Sequence, residues 1–225
     1  MKSRVLLLFI LSVLVLCLNY CDNPIFHKKK TEGLIEFKVE PVDKSHPLAG
    51  LAPDKAIVKF KNGKYLVEMT TMGMFKTTFV LDAEKKTMVQ TVKFMDIKNA
   101  CIENQNEINK DVAQYPLIFK ETNEKVTIAG YKCYKAIATY GNNPSDSFEV
   151  LYTKDLEPKD VNDLGPYKGI KGMLMKYRLK KMELELEFTA EKVSLQQIPD
   201  EEFELPSYYK IISQKEMEEF FKSLQ

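Results

Sequence analysis

The chain has 225 residues, and 33 Lys and Arg against 32 Asp and Glu give a net charge of +1. This balance counts against nucleic-acid binding, which needs concentrated positive charge. The chain has two histidines, His27 and His46, and no phosphate-binding, G-x-S-x-G or C-x-x-C motif. We therefore expect a protein that is not an enzyme and that binds no cofactor or metal. A pair of carboxylates is the remaining catalytic alternative.

The N-terminus has the pattern of a bacterial lipoprotein export signal. Lys2 and Arg4 precede an apolar run, Val5–Leu18, and a cysteine, Cys21, follows it closely. The run has 14 residues. This length suits a signal peptide and falls short of the roughly 20 residues needed to cross a bilayer. The pattern therefore predicts export, cleavage and attachment of lipid at Cys21.

These predictions divide the chain into three parts. Residues 1–20 form a signal peptide, residues 21–32 a lipidated tether, and residues 33–225 a single β-rich domain. The expected location is the cell envelope, at the outer membrane facing the periplasm, with the inner membrane as an alternative. Simple secretion, an uncleaved anchor and lipidation of Cys17 instead are further alternatives. The lipid makes the membrane a partner, whereas the sequence indicates no particular protein partner.

Period-two alternation of apolar and polar residues predicts strands through most of the remaining chain. An Asn62-Gly63 pair between two such runs predicts a tight hairpin, because both residues tolerate positive φ. The alternation of apolar and polar residues shifts by one position at Lys180-Lys181, which indicates either a tight turn or a bulge that bends a long strand. The expected strands cover residues 35–39, 56–60, 65–69, 75–81, 88–97, 117–120, 125–128, 131–140, 148–152, 173–179 and 182–188.

Three other segments have different patterns. Asp155–Gly172 contains several Pro and Gly residues and predicts a long loop, while Glu103–Gln114 predicts a loop or a short exposed helix. Ser213 and Glu216 form a capping box that begins a C-terminal amphipathic helix. We therefore expect a mostly β protein with minor α. Its architecture would be a single curved antiparallel sheet, a half-barrel meander of roughly ten strands, with the helix packed on it.

Methionine and aromatic residues on the predicted strands and helix have two interpretations. In the first they form a solid core; in the second the curved sheet encloses an apolar cavity for a hydrophobic ligand such as a lipid or acyl chain. The candidate lining residues are Met69, Met88, Met173, Met175, Phe220 and Phe221. The remaining cysteines, Cys101 and Cys133, form either a disulfide, which an oxidising envelope would allow, or two buried thiols.

Three segments resemble a family of uncharacterised bacterial envelope lipoproteins. They are Val126–Lys135 (VTIAGYKCYK), Val150–Leu156 (VLYTKDL) and Phe203–Lys210 (FELPSYYK). The resemblance implies the outline of the LolA/LolB carrier fold, a curved antiparallel half-barrel closed by helices. The family has no established activity, so the resemblance assigns no functional residue. The function we expect is a membrane-anchored lipoprotein that binds an apolar ligand, with a structural or protein-interaction module of the envelope as the alternative.

Overall fold

The computed structural model describes residues 31–157, 160–181 and 184–224. Within these residues the chain forms one open, curved sheet of twelve strands and two α-helices, which confirms the mostly β fold class. The helices are α1 (Gln105–Val112) and α2 (Gln214–Lys222). The strands are β1 (Glu32–Pro41), β2 (Lys55–Lys61), β3 (Lys64–Thr71), β4 (Phe75–Asp82), β5 (Thr87–Phe94), β6 (Ile97–Asn104), β7 (Leu117–Ile128), β8 (Tyr131–Tyr140), β9 (Asn143–Thr153), β10 (Met173–Lys181), β11 (Leu184–Ser194) and β12 (Lys210–Ile211).

Two antiparallel meanders build the sheet. The first runs from β1 to β6 and the second from β7 to β11, and they meet where β1 pairs with β11. Hairpin turns join most neighbouring strands, as short connections between antiparallel partners require. The short strand β12 then adds in parallel to β6 at one edge, and β7 forms the other edge.

Four details differ from the expectations or decide between them. The expected strand Met88–Ile97 is two strands, because β5 ends at Phe94 and β6 begins at Ile97 after a turn at Met95-Asp96. The two strands expected between residues 117 and 128 are one, β7, with an irregularity after Glu121. Lys181 at the end of β10 pairs antiparallel with Leu184 at the start of β11, so the shift in alternation lies between two strands and not within one bent strand. Of the two readings of Glu103–Gln114, the short helix is observed, as α1.

The main core lies where the two meanders meet. Strands β1, β2, β8, β9, β10 and β11 all contribute fully buried apolar side chains to it. The Tyr177 and Phe188 rings stack at 4.9 Å between centroids, and Phe37 packs edge-on against both. Aromatic pairs of this kind contribute roughly 0.5–1.5 kcal/mol each beyond the burial of their surface.

Helix α2 covers the far end of the first meander. The predicted capping box is present: the Ser213 hydroxyl accepts a hydrogen bond from the Glu216 N–H, and the Glu216 carboxylate accepts one from the Ser213 N–H. Met217 is buried against Val92 of β5 and Cys101 of β6. The expected amphipathic helix therefore packs on its own sheet. No helix among the described residues is long and apolar enough to span a membrane.

The long loop between β9 and β10 is held to the sheet by Tyr167. The pairing of β10 with β9 ends at Lys176, which leaves the next backbone groups of β10 without a strand on that side. The Tyr167 hydroxyl takes the place of the missing strand: it donates to the Arg178 carbonyl and accepts a hydrogen bond from the Arg178 N–H. The tyrosine is buried, so water does not replace these bonds.

Tyr167→Phe therefore tests the attachment of this loop. We expect the substitution to lower the free energy of unfolding by about 1–3 kcal/mol, because it leaves two backbone groups of Arg178 without partners. Urea denaturation measures the change. Tyr208→Phe, at an exposed tyrosine, is the control and should shift stability by less than about 0.5 kcal/mol. Equal effects of the two substitutions would contradict this role for Tyr167.

Candidate functional site

One end of the first meander exposes apolar side chains at three consecutive connections. These are the 3₁₀ turn that ends at Leu51, the β3–β4 turn with Met72 and Met74, and the β5–β6 turn with Met95. The side chains are 44%, 75%, 57% and 68% exposed, in that order. We call these four residues the apolar rim. Such a concentration of exposed apolar groups indicates an interaction site.

The rim borders a cavity of about 220 Å³. Its walls come from the ends of β3, β4 and β5, the β3–β4 turn, the 3₁₀ turn and Leu224, which follows α2. Phe75 lies at its centre: its ring is 5.7 Å from Phe94 and 6.0 Å from Phe221. With the exception of Thr71, the lining residues are apolar; they are Leu51, Thr71, Met72, Met74, Phe75, Phe94 and Leu224.

A hydrogen bond fixes the position of the 3₁₀ turn at this cavity. The Thr71 hydroxyl, at the end of β3, donates to the Leu51 carbonyl at 2.9 Å. A second, more polar cavity of about 390 Å³ lies on the other side of this contact, lined by Gly50, Ala52, Asp54, Thr70, Thr71, Met72 and Gly73. Met72 and Thr71 line both cavities, so the β3–β4 turn separates them.

Two rim methionines occupy a strained backbone conformation. Met72 and Met95 both have φ of 51°, a region that costs an ordinary L-residue roughly 1–2 kcal/mol. Met72-Gly73 has positive φ at both positions, as does the Asn62-Gly63 turn at the opposite end of the sheet. Asn-Gly is the sequence that such turns prefer. The chain therefore has a suitable turn residue at one end of β3 and an exposed methionine at the other.

A row of three lysines lies one residue inward from the strand ends next to the rim. Lys76, Lys93 and Lys98 are direct cross-strand neighbours on β4, β5 and β6, and we call them the lysine row. Like charges placed opposite one another are unfavourable in a sheet. Lys76 pairs with Glu68 at 2.7 Å, and Lys98 lies 4.7 Å from the centre of the Tyr208 ring. The exposed Lys93 has no ion-pair partner among the described residues.

The predicted lining residues do not lie together: three belong to the main core, two belong to the cluster under α2, and Met88 belongs to neither. Met173 and Met175 are fully buried in the main core, and Met69 packs against it half-buried. Met88 is half-buried on β5. None of the six predicted residues lines either cavity in the described part of the chain. The solid-core interpretation therefore describes Met173 and Met175.

Phe220 and Phe221 lie closer to the rim. Both are half-buried residues of α2 that pack in the same cluster as Met217, and Phe221 contacts the cavity residue Phe75. The rim itself was not predicted, because alternation places a methionine on a strand face without showing that it lies in a turn. Two short segments between apolar runs could have indicated these turns. They are Met72-Gly73 and Met95-Asp96, which contain the turn residues glycine and aspartate.

The two candidate disulfide cysteines are buried and are not joined by a disulfide. Cys101 lies on β6 and Cys133 on β8, and eight strands separate β6 from β8 in the sheet order. Of the two alternatives, the structure therefore has the pair of buried thiols. Burial raises the pKa of the Cys133 thiol to about 11, so it is protonated at neutral pH and a poor nucleophile. Cys21 and Cys17, the candidates for lipidation, lie outside the described residues.

No cluster of three or more His, Cys, Asp or Glu side chains that could hold a metal ion occurs within the described ranges. No protein-family model and no curated protein matches the chain. Solved structures do. The structure of PNGF-II matches 85% of this chain at 16% identity and a TM-score of 0.50, and this chain spans 33% of the PNGF-II chain. At that identity the match shows the fold alone.

Two further structures are more distant. MucB matches 82% of this chain and 60% of its own, at 11% identity and a TM-score of 0.33. A domain from Vibrio parahaemolyticus, described in connection with outer membrane lipoprotein sorting, matches 78% of this chain and 90% of its own, at 8% identity and a TM-score of 0.22. These two scores are too low to support an argument about function.

Met72→Asn tests the strain in the β3–β4 turn. We expect it to raise the free energy of unfolding by about 1 kcal/mol, because Asn tolerates positive φ and the exposed methionine contributes little burial. A thermal melt should show a rise of about 2–4 °C. Met74→Asn makes the same side-chain change at a residue without positive φ and should give no gain. A gain at both positions, or at neither, would argue against the strain.

Alkylation tests the state of the two cysteines. In the folded chain we expect iodoacetamide to leave Cys101 and Cys133 unmodified, because both are buried and the Cys133 thiol is protonated. After unfolding in guanidinium chloride without a reductant, both should react, as peptide mapping by mass spectrometry would show. A disulfide between them would instead leave both unmodified until a reductant is added.

Proposed function

We propose that this protein is a membrane-anchored, non-enzymatic lipoprotein of the bacterial envelope that binds an acyl chain or a similar apolar ligand in the cavity beside α2. The observation that carries the proposal is the lining of that cavity, which is apolar at every residue except Thr71. An apolar cavity without ionisable groups suits a hydrocarbon, and the hydroxyl of its one polar side chain, Thr71, already donates to the Leu51 carbonyl.

The size of the cavity limits the ligand. Pockets for drug-sized molecules have volumes of about 300–1,000 Å³, whereas this cavity has about 220 Å³. It therefore suits the end of one acyl chain rather than a complete lipid. Two of its lining residues are methionines, whose unbranched side chains adapt to ligands of different shape. The N-terminal lipoprotein pattern supports the envelope location and the anchor at Cys21.

One observation favours the alternative, a structural or protein-interaction module without a ligand cavity. Met173 and Met175, expected to line a cavity, are fully buried in the main core. The concave centre of the sheet is therefore filled by side chains where the two meanders meet. Under this alternative the small cavity beside α2 would bind no ligand, and the exposed rim would be a contact surface for another protein.

Leu224→Lys distinguishes the two functions. In native mass spectrometry of the full chain with added oleate, we expect the unmodified protein to carry one bound oleate. A lysine in the cavity should reduce the bound fraction at least tenfold, because its charge would be desolvated by the apolar walls. Ser223→Lys places the same charge on the exposed neighbouring residue and should leave binding unchanged.

Two results would contradict the proposal. One is the absence of oleate binding by the unmodified chain and by the Ser223→Lys variant. The other is equal binding by the Leu224→Lys and Ser223→Lys chains, which would place oleate elsewhere. Circular dichroism of both variants controls for the fold, since each change lies at the end of α2.

A further inference from the structure

We propose that the apolar rim docks on the surface of an anionic lipid bilayer, with Met72, Met74 and Met95 entering the headgroup region and the lysine row contacting lipid phosphates. This inference rests on the proposed function in one respect, because the rim borders the cavity to which we assign an acyl chain. The docked rim would place the cavity next to the membrane that supplies such chains.

The first argument is the placement of the apolar groups. The β3–β4 and β5–β6 turns and the 3₁₀ turn at Leu51 all lie at the same end of the sheet, where β3 and β5 end. The methionines are more than half exposed to solvent, and Leu51 is partly exposed. Apolar side chains at the tips of adjacent loops can enter a membrane interface together, because the loops project from the same end of the protein.

The second argument is the backbone strain at two of these tips. Met72 and Met95 hold a positive φ that glycine or asparagine would adopt with less strain. Their side chains are 75% and 68% exposed, so packing inside the protein does not compensate for the strain. Local conflicts of this kind are expected at functional positions. The compensation would come from apolar burial in the bilayer.

The third argument is the charge beside the tips. Phe75, Phe94 and Ile97 end their strands on the face that α2 covers, and the lysine row lies one residue further in, on the opposite face. Lysines so placed lie behind the apolar tips and can extend their ammonium groups to the lipid phosphates at the level of the headgroups. Each lysine near an anionic surface strengthens partitioning roughly fivefold. Two exposed acids lie near the rim: Asp96 in the β5–β6 turn, and Asp54, which lines the second cavity together with Met72.

The same charges argue against two other occupants. A second copy of the chain seated on this end would bring two lysine rows close to one another, and like charges across an interface are repulsive. In protein–protein interfaces lysine is depleted, although methionine is enriched. A surface that combines exposed methionines with adjacent lysines therefore favours an anionic lipid surface over a protein.

The chain length before the sheet allows this orientation. β1 begins at Glu32, which pairs with Lys61 beside the Asn62-Gly63 turn, so the chain enters the sheet at the end opposite the rim. An eight-residue strand such as β3 is about 26 Å long. Ten residues follow Cys21 up to Thr31, and a chain of that length extends to at most about 35 Å. A lipid on Cys21 and the rim can therefore reach the same membrane.

A fluorescent label on the rim tests the docking. The full chain is reconstituted in vesicles of phosphatidylcholine alone or mixed with phosphatidylglycerol, and the environment-sensitive dye NBD is attached to Met95→Cys. Lys86→Cys is the matched control, since Lys86 also has positive φ (55°) and lies in the β4–β5 turn at the opposite end. The unsubstituted chain gives the labelling background of the native cysteines.

We expect the dye at position 95 to shift to shorter wavelength and to be quenched by spin-labelled lipid in the phosphatidylglycerol vesicles. The dye at position 86 should do neither. Lys93→Glu should weaken the response at position 95 severalfold, whereas Lys132→Glu, at an exposed residue of β8, should not. Met72→Asn should also weaken it while the sheet stays folded, so that misfolding does not explain the loss.

Three outcomes would overturn the proposal. The dye at position 95 could stay in water in both vesicles. It could respond only at high protein density without spin-label quenching, which would indicate a second copy. It could respond in isolated bacterial envelopes but in neither vesicle, which would indicate a protein partner. If the unmodified chain docks on vesicles but binds no oleate, the proposed function is refuted and this inference is not. If it binds oleate but does not dock, this inference is refuted and the proposed function is not.

Discussion

The pairing of β1 with β11 is the interaction on which the rest of the sheet depends. It brings together residues as distant in sequence as Leu34 and Ser194, and in the described part of the chain it is the strand pairing that joins the two meanders. Phe37 on β1 and Phe188 on β11 pack against each other and against Tyr177, so the joint is also the centre of the main core. Stability and topology therefore rest on the same side chains.

The packing at the β1–β11 pairing also determines where on the sheet a binding cavity can form. Side chains near the β1–β11 seam fill the concave face, and Met173 and Met175 belong to that filling. Further along the first meander the large aromatics become half-buried, and α2 provides the cover. The cavity and the apolar rim consequently lie where the packing of the central core has ended and a single short helix replaces it.

Most of the strands and α2 could be predicted from the sequence, because alternation and the Ser213–Glu216 capping box are local signals. The β1–β11 joint and the parallel addition of β12 to β6 could not, since no turn sequence marks a contact between distant segments. The turn at Met95-Asp96 was missed because methionine is not a turn residue and the apolar pattern continues through it. The site was missed for the same reason, since exposure of these methionines depends on the turns.

Met72 and Asn62 show why the missed positions are informative. Both are the first residue of a hairpin turn and have positive φ, both are followed by a Gly that also has positive φ, and β3 connects them. The backbone requirement is therefore the same, and the residue that satisfies it with less strain is asparagine. Folding alone gives no reason for a methionine that is mainly exposed. A reason exists if the side chain is buried only when the rim contacts a membrane, because the free energy of that contact then offsets strain that the isolated fold does not relieve.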